Sequence, residues 1–373
     1  MPFDESQLPG YALLSPENVK LYEVATAEGI YNLTPAEKWW RDRWQMLASR
    51  GYKLRPRYHP SWKPSWVGTR VDPIFCEDSI ILLNPHIIDA TWHNKVAVSI
   101  KCVERSRAEI DLAQSLVTEA LLSNDMNHCV PILDAIQDPV EQDTWLMVMP
   151  YLCPFDDPPF GAVGEVLDFV RQTLEGLLFL HNQGVAHRDC AAANIMMDGR
   201  PLYPNGHHPL RRKYTPDAIF PANPLSRIDH PVRYYFIDFG ISTRFRRGAS
   251  PFVTGRKGRD KELPELSDDV PYDAFKADIF ILGNLYKKEF LLKYHGVDFL
   301  APLINSMTQQ VASSRPGAEV ALAEFRRMSF SLTSTELRWR LRPRDESVPE
   351  RVVYDTFAAA RETFFQLKRI VGQ

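Results

Sequence analysis

The sequence predicts an α+β fold, with strands gathered in its first half and helices after them. Three observations carry this. Short apolar runs between residues 79 and 149, separated by turn residues, have strand length. Val163–Asn182 places Val166, Phe169, Val170, Leu174, Leu177 and Leu178 on a helical stripe, and Gly184 follows as a stop. That helix leads into His187-Arg188-Asp189-Cys190-Ala191-Ala192-Ala193-Asn194, and an apolar strand at residues 232–237 runs into Asp238-Phe239-Gly240.

The bounds are ordinary. A chain of 373 residues accommodates one large two-lobed domain with additions, and 45% hydrophobic with 24% charged residues is a globular composition. A net charge of −3 gives no pull toward nucleic acid or a membrane surface, and no apolar run approaches a membrane span. The N-terminus shows no basic region followed by an apolar one, so no secretory signal is expected. Five scattered cysteines (76, 102, 129, 153 and 190) have no metal-ligand spacing. They read as reduced thiols, which points to the cytoplasm, with the nucleus as alternative.

Residues 1–72 form an N-terminal extension. Thr34-Pro35-Ala36-Glu37 is a capping box with proline at the first helical position. The helix it opens puts Trp40, Trp44 and Leu47 on one face and ends at Gly51. From Tyr52 to Trp66 prolines alternate with aromatic residues, which predicts an extended strap packed by its tryptophans.

Residues 73–150 read as a strand-rich segment, with strands at 79–84, 87–92, 96–103, 130–135 and 145–149. Between Gly68 and Gly161 there is no glycine. Residues 151–328 are the helical part, interrupted by an insertion at 199–231 whose seven prolines argue against regular structure. The 329–373 tail holds a basic run from Arg338 to Arg344, read as a solvated face. It then turns helical from Val348, with Val352, Phe357, Phe364 and Ile370 among its apolar residues.

H-R-D-x-x-x-x-N followed by D-F-G, each on its expected element, resembles the catalytic signature set of eukaryotic protein kinases. Either tripeptide alone is a weak signal; the ordered pair is a strong one. Val98-Ser99-Ile100-Lys101 resembles the strand of that family whose lysine meets the nucleotide phosphates. Leu263-Pro264-Glu265, Asp278 and Ser314-Arg315-Pro316 resemble its later structural motifs. The matched stretch runs from about Val98 to Pro316, and the chain is similar to a divergent, fungal type of kinase-like protein lacking the glycine-rich loop. That loop would fall near residues 80–85.

The resemblance implies a bilobal protein-kinase-like fold, with a small β-rich lobe and a larger helical one, acting on ATP and Mg2+ with a protein substrate or partner. Asp189 would be the base, with His187 and Arg188 completing its motif. Asn194 and Asp238 would ligate magnesium. Lys101 would hold the phosphates and pair with Glu109, Glu119 being the alternative partner. Pro150, Tyr151 and Leu152 would be the adenine-facing hinge, with Met149 at its back wall. A phosphorylated residue of the 238–265 segment would pair with Arg188.

Where the family carries a cation two or four residues after the base, this chain has Ala191 and Ala193. Three functions stay in view. The first is a phosphotransferase moving the γ-phosphate of Mg-ATP to a protein hydroxyl, the second a pseudokinase scaffold, and the third a small-molecule kinase.

Overall fold

The computed structural model of the chain describes residues 5–93, 96–104 and 106–356, and these divide into two units. The first gathers residues up to 107 with 132–152 and 199–225; the second holds 108–131, 153–198 and the chain from 226 onward.

In the first unit, α1 (Pro16–Ala27) starts at Ser15, whose hydroxyl accepts the Asn18 N–H. α2 (Pro35–Arg41) has the full capping box between Thr34 and Glu37. The single helix expected as far as Gly51 is broken at Asp42–Arg43, and α3 (Trp44–Ser49) resumes it. Arg43 marks the break, donating to the Trp39 carbonyl at 2.9 Å and to buried Asp138 at 2.6 Å. Gly51 turns the chain at φ +85°, where a Cβ would sit 2.7 Å from the His93 ring.

The strap then begins as a strand, β1 (Tyr52–Leu54), paired at a sheet edge with Ala90 to Trp92. Pro56 cannot continue a ladder, and a 3-10 turn, Pro56–Tyr58, follows.

β2 (Ile87–Trp92), β3 (Val96–Glu104), β4 (Asp134–Gln137) and β5 (Thr144–Pro150) complete an antiparallel sheet in the order β1-β2-β3-β5-β4. The alternation on β3 turns Val98, Ile100 and Cys102 into a core, where Trp40, Leu47 and Tyr58 of the extension meet them. Arg57 and Glu37 are fully buried there as an ion pair at 2.7 Å.

Two expected strands differ. The 79–84 run is not a strand. Leu82 N–H donates to the buried Glu37 carboxylate and the Ile80 carbonyl accepts from Arg55, so buried ions take the groups a ladder would use. The 130–135 strand starts only at Asp134, because Val130 N–H is bonded to the Phe236 carbonyl in the second unit.

Within the insertion, residues 199–225 have little regular structure beyond a 3-10 turn, Arg200–Leu202, yet they bury Leu202, His208, Ala218 and Ile219. His208 reaches Glu77 at 3.5 Å, and Arg55 lies 3.3 Å from both Glu77 and Asp89. Tyr151 Oη donates to the Pro209 carbonyl at 2.7 Å.

The second unit holds α4 (Ala108–Leu116), α5 (Glu119–Leu122) and β6 (Cys153–Pro154), then the long α6 (Val163–Asn182). Val166, Phe169, Val170, Leu174 and Leu177 are buried along α6, and Phe155, Phe160, Tyr234 and Phe290 ring Phe169. β7 (Val185–Ala186), β8 (Ile195–Met197), β9 (Tyr234–Phe236) and β10 (Thr243–Arg244) follow, with β6, β8 and β9 forming one small sheet. α7 (Ala274–Tyr286), α8 (Ala301–Met307), α9 (Ala318–Ser329) and α10 (Ser334–Arg338) close the unit.

The tail's basic run is not a solvated face. Arg338 pairs with Asp229 at 2.8 Å, Arg340 with Glu346 at 2.7 Å and Asp355 at 2.5 Å, and Arg344 with Asp298 at 2.6 Å. Residues 348–356 are helical; Phe357, Phe364 and Ile370 lie outside the described residues. All five cysteines are free and buried. Among the described residues no helix is long and apolar enough to cross a membrane.

Candidate active site

The site is built on the loop after α6. Gly184 ends that helix at φ +69°, and β7 leads straight to His187. His187 is fully buried, with Phe236 and Phe239 rings 5.6 and 5.1 Å away. Its Nε2 faces the Ile237 carbonyl at 3.0 Å and its Nδ1 faces the Asp189 N–H at 3.3 Å. A carbonyl only accepts and an N–H only donates, so the ring is neutral with its proton on Nε2. Burial lowers the pKa of His187 in the same sense.

Arg188 takes a left-handed backbone at φ +67°, which an L-residue adopts only when its surroundings hold it. Asp278, fully buried on α7, does the holding. Its carboxylate accepts Arg188 N–H at 2.6 Å, His187 N–H at 2.8 Å and His181 Nε2 at 3.1 Å. The Arg188 side chain then fastens the segment after D-F-G, donating to the Thr254 carbonyl at 2.8 Å and to Thr243 Oγ1 at 3.3 Å.

Asp189 is 7% exposed. Asn194 Nδ2 donates to its Oδ2 at 2.8 Å and to its backbone carbonyl at 3.0 Å. The two amide hydrogens of Asn194 are thereby used, and its side-chain carbonyl oxygen is the end left for a cation. Together with the Asp238 carboxylate this is a hard-oxygen donor set of the kind magnesium takes. Asp238 is itself left-handed, at φ +63°. Ile237 N–H donates to the Asn194 carbonyl at 3.0 Å, which laces the D-F-G strand to the loop.

Glu109, on α4, reaches the same place. A Cβ added to Gly240 would lie 3.2 Å from Asp238 Oδ1 and 3.3 Å from Glu109 Oε2. Glu119 opens the separate short helix α5. Further out, Arg315 makes a bidentate pair with Glu265, at 2.8 Å on its Nη2 side.

The other expected residues are in the first unit. Lys101 lies on β3 opposite Ile87 and Met147, its alternation placing it on the face away from the Val98–Ile100 core. Met149 and Leu152 are buried, and Tyr151 N–H donates to the Ala97 carbonyl at 3.2 Å.

Two residues escaped the sequence reading. His181 had no motif to mark it. Arg259 figured only as one arginine among several, although the alanines at 191 and 193 were a signal to look for a cation nearby. Its N–H donates to Asp189 Oδ1 at 2.7 Å.

No family model matches the chain. Protein-tyrosine kinase 6 of Homo sapiens is 28% identical over 195 residues, covering 50% of this chain and 41% of that protein. Its Mus musculus counterpart is 24% identical over 217 residues, covering 52% and 47%. A light-sensor protein kinase of Ceratodon purpureus is 45% identical over 42 residues, 11% of this chain and 3% of that one. The chain thus spans less than half the length of these curated relatives. A crystal structure of the Rad53 kinase domain and SCD2 aligns with a TM-score of 0.40 at 16% identity, covering 63% of this chain and 81% of that one.

Proposed function

We propose that this chain is a protein-kinase-like phosphotransferase that moves the γ-phosphate of Mg-ATP to a protein hydroxyl, a reading its partial similarity to protein-tyrosine kinases supports. The observation that carries the reading is the loop itself. One buried carboxylate, Asp278, holds the His187 and Arg188 amides, and the turn so formed presents Asp189 with Asn194 fixed 2.8 Å away.

In this reading Asp189 orients the acceptor hydroxyl and takes its proton. Bound Mg-ATP supplies the phosphoryl group and part of the charge neutralisation. Asn194 Oδ1 and the Asp238 carboxylate hold the metal, and Lys101 holds the phosphates with Glu109 as its partner. Met149, Tyr151 and Leu152 meet the adenine. His187 keeps the loop in register from inside the core, and Arg188 ties the loop to the 238–265 segment. The Glu265–Arg315 pair favours a protein acceptor over a small molecule, because the resemblance assigns it to protein kinases.

A second reading, a scaffold without turnover, is favoured by the glycine-free stretch from Gly68 to Gly161. Glycines matter in a phosphate-covering loop because backbone must approach the phosphates closely.

Calorimetry with Mg-ATP on wild type and Asp238→Ala, followed by phosphotransfer assays on wild type and Asp189→Asn, separates the two. The kinase reading expects magnesium-dependent binding that Asp238→Ala loses, and transfer that Asp189→Asn lowers by about 100-fold or more. Absence of binding at millimolar ATP overturns it in favour of the scaffold.

A further inference from the structure

Phosphoryl transfer spreads negative charge over the equatorial oxygens of the moving group, and a cation close to the base offsets it. In this catalytic loop the two places for such a cation are methyl groups, Ala191 and Ala193. The structure brings a different cation to the base. Arg259 is pinned through its backbone N–H to Asp189 Oδ1 at 2.7 Å, and its Nε lies 3.8 Å from Asp189 Oδ2. Its side chain is 59% exposed, and among the described residues its guanidinium makes no hydrogen bond.

The close approach is built in. A Cβ on the preceding residue, Gly258, would fall 2.9 Å from the Arg188 carbonyl oxygen, so glycine is what lets the segment lie against the loop. Beside it opens a cleft of about 340 Å³, lined in part by Ala191, Ala192, Arg259, Lys261, Leu285 and Lys288.

Three other cations near the loop are committed. Arg188 donates to the Thr254 carbonyl and Thr243. Lys261 donates to the Arg256 carbonyl at 2.6 Å. Lys288 pairs with Glu262 at 2.8 Å.

We propose that Arg259, carried on the segment after D-F-G, is the catalytic cation of this enzyme. Its guanidinium contacts the transferred phosphoryl group in place of the loop residue that Ala191 or Ala193 would have been. This rests on the kinase reading above. The acceptor oxygen bonds to the γ-phosphorus, the bond from that phosphorus to the β–γ bridging oxygen breaks, Asp189 takes the acceptor proton, and ADP leaves. Arg259 changes no bond and balances the charge.

The backbone contact of Arg259 does not involve its side chain, so Arg259→Ala keeps the segment anchored; a thermal melt verifies this. Phosphotransfer by the full chain is measured for wild type, Arg259→Ala, Arg259→Lys, and Arg259→Ala combined with Ala191→Lys. The expected result is a kcat lowered about 10³-fold in Arg259→Ala, a size typical of an arginine serving a phosphoryl group, with KM for Mg-ATP almost unchanged. Arg259→Lys recovers part of this, and so does the added Ala191→Lys.

A second readout does not depend on turnover. Wild type binds Mg-ADP with aluminium fluoride, a mimic of the moving phosphoryl, more tightly than Mg-ADP alone, and Arg259→Ala loses that preference. If Arg259→Ala keeps a kcat within about threefold of wild type and keeps the aluminium fluoride preference, Arg259 has no such role and the kinase reading stands. If wild type binds no Mg-ATP and transfers nothing, the kinase reading falls and the role of Arg259 falls with it.

Discussion

Replacing Asp278 by asparagine keeps the shape of the brace and removes its charge. The carboxylate is completely buried and accepts Arg188 N–H on Oδ1, and His187 N–H and His181 Nε2 on Oδ2. An amide has one oxygen. Whichever way it turns, an NH2 group faces at least one backbone N–H that had an acceptor. A hydrogen bond to a charged acceptor contributes about 1.5–3 kcal/mol, and an orphaned buried donor costs about 1–3 kcal/mol. With the weakening of the bonds that remain, Asp278→Asn should destabilise the loop by about 3–5 kcal/mol, a large share of a typical folding free energy.

Arg188 sits at φ +67° only because it is held, so the loss should appear first as local opening. Amide hydrogen exchange reads it directly. The His187 and Arg188 amides should exchange roughly 100-fold faster or more, while amides in the middle of α6 change little. Unchanged exchange at these two amides, or a change spread evenly over the unit, would refute the idea that this one carboxylate sets the loop. Phosphotransfer should fall together with that protection.

Arg57→Met leaves the fully buried Glu37 without its countercharge, at a cost of about 3–5 kcal/mol in a urea melt; adding Glu37→Leu should recover much of it. Burial works to raise the Glu37 carboxyl, but hydrogen bonds from Arg57 and Thr34 outweigh it and hold it below the ordinary range. Its contribution is therefore full above about pH 4.3, and is lost as pH falls through the lowered value. His128 runs through a different window. Burial brings its imidazole down to about 4, so the folded state refuses a proton that the unfolded chain takes below about pH 6.5. Stability should fall by up to about 3 kcal/mol as pH drops from about 6.5 to 4, and His128→Gln should flatten that part of the profile. Gly258→Ala, whose Cβ would press on the Arg188 carbonyl at 2.9 Å, should lift the segment off Asp189. About 1–3 kcal/mol of destabilisation is expected in a melt, with faster exchange at the Arg259 amide.

The loop was legible because its chemistry is local and ordered. A carboxylate, an amide five residues on and a second carboxylate after a strand leave few alternatives, and the Asp278 and Glu265–Arg315 contacts follow from short motifs. What escaped was decided at long range. Residues 79–84 look like a strand to any local reading. Their backbone groups are instead taken by Glu37 and Arg55, more than twenty residues away. The arginines from 338 to 344 look solvated because their carboxylates include Asp229 and Asp298, which no window of sequence shows beside them. The position of Arg259 depended on how the segment folds back at Gly258, which composition does not encode.

The extension bears on where the folded unit of the lysine strand begins. A boundary drawn at the first kinase-like strand would discard Trp40, Leu47, Tyr52, Leu54 and Tyr58, which share one core with Val98 and Ile100 on the strand of Lys101. Each large buried side chain is worth about 1.5–3 kcal/mol, so their combined loss is on the order of the whole stability of a domain. A fragment trimmed to the kinase-like motifs should therefore aggregate. Residues 40–58 belong to that core; they are the wall against which the lysine strand stands.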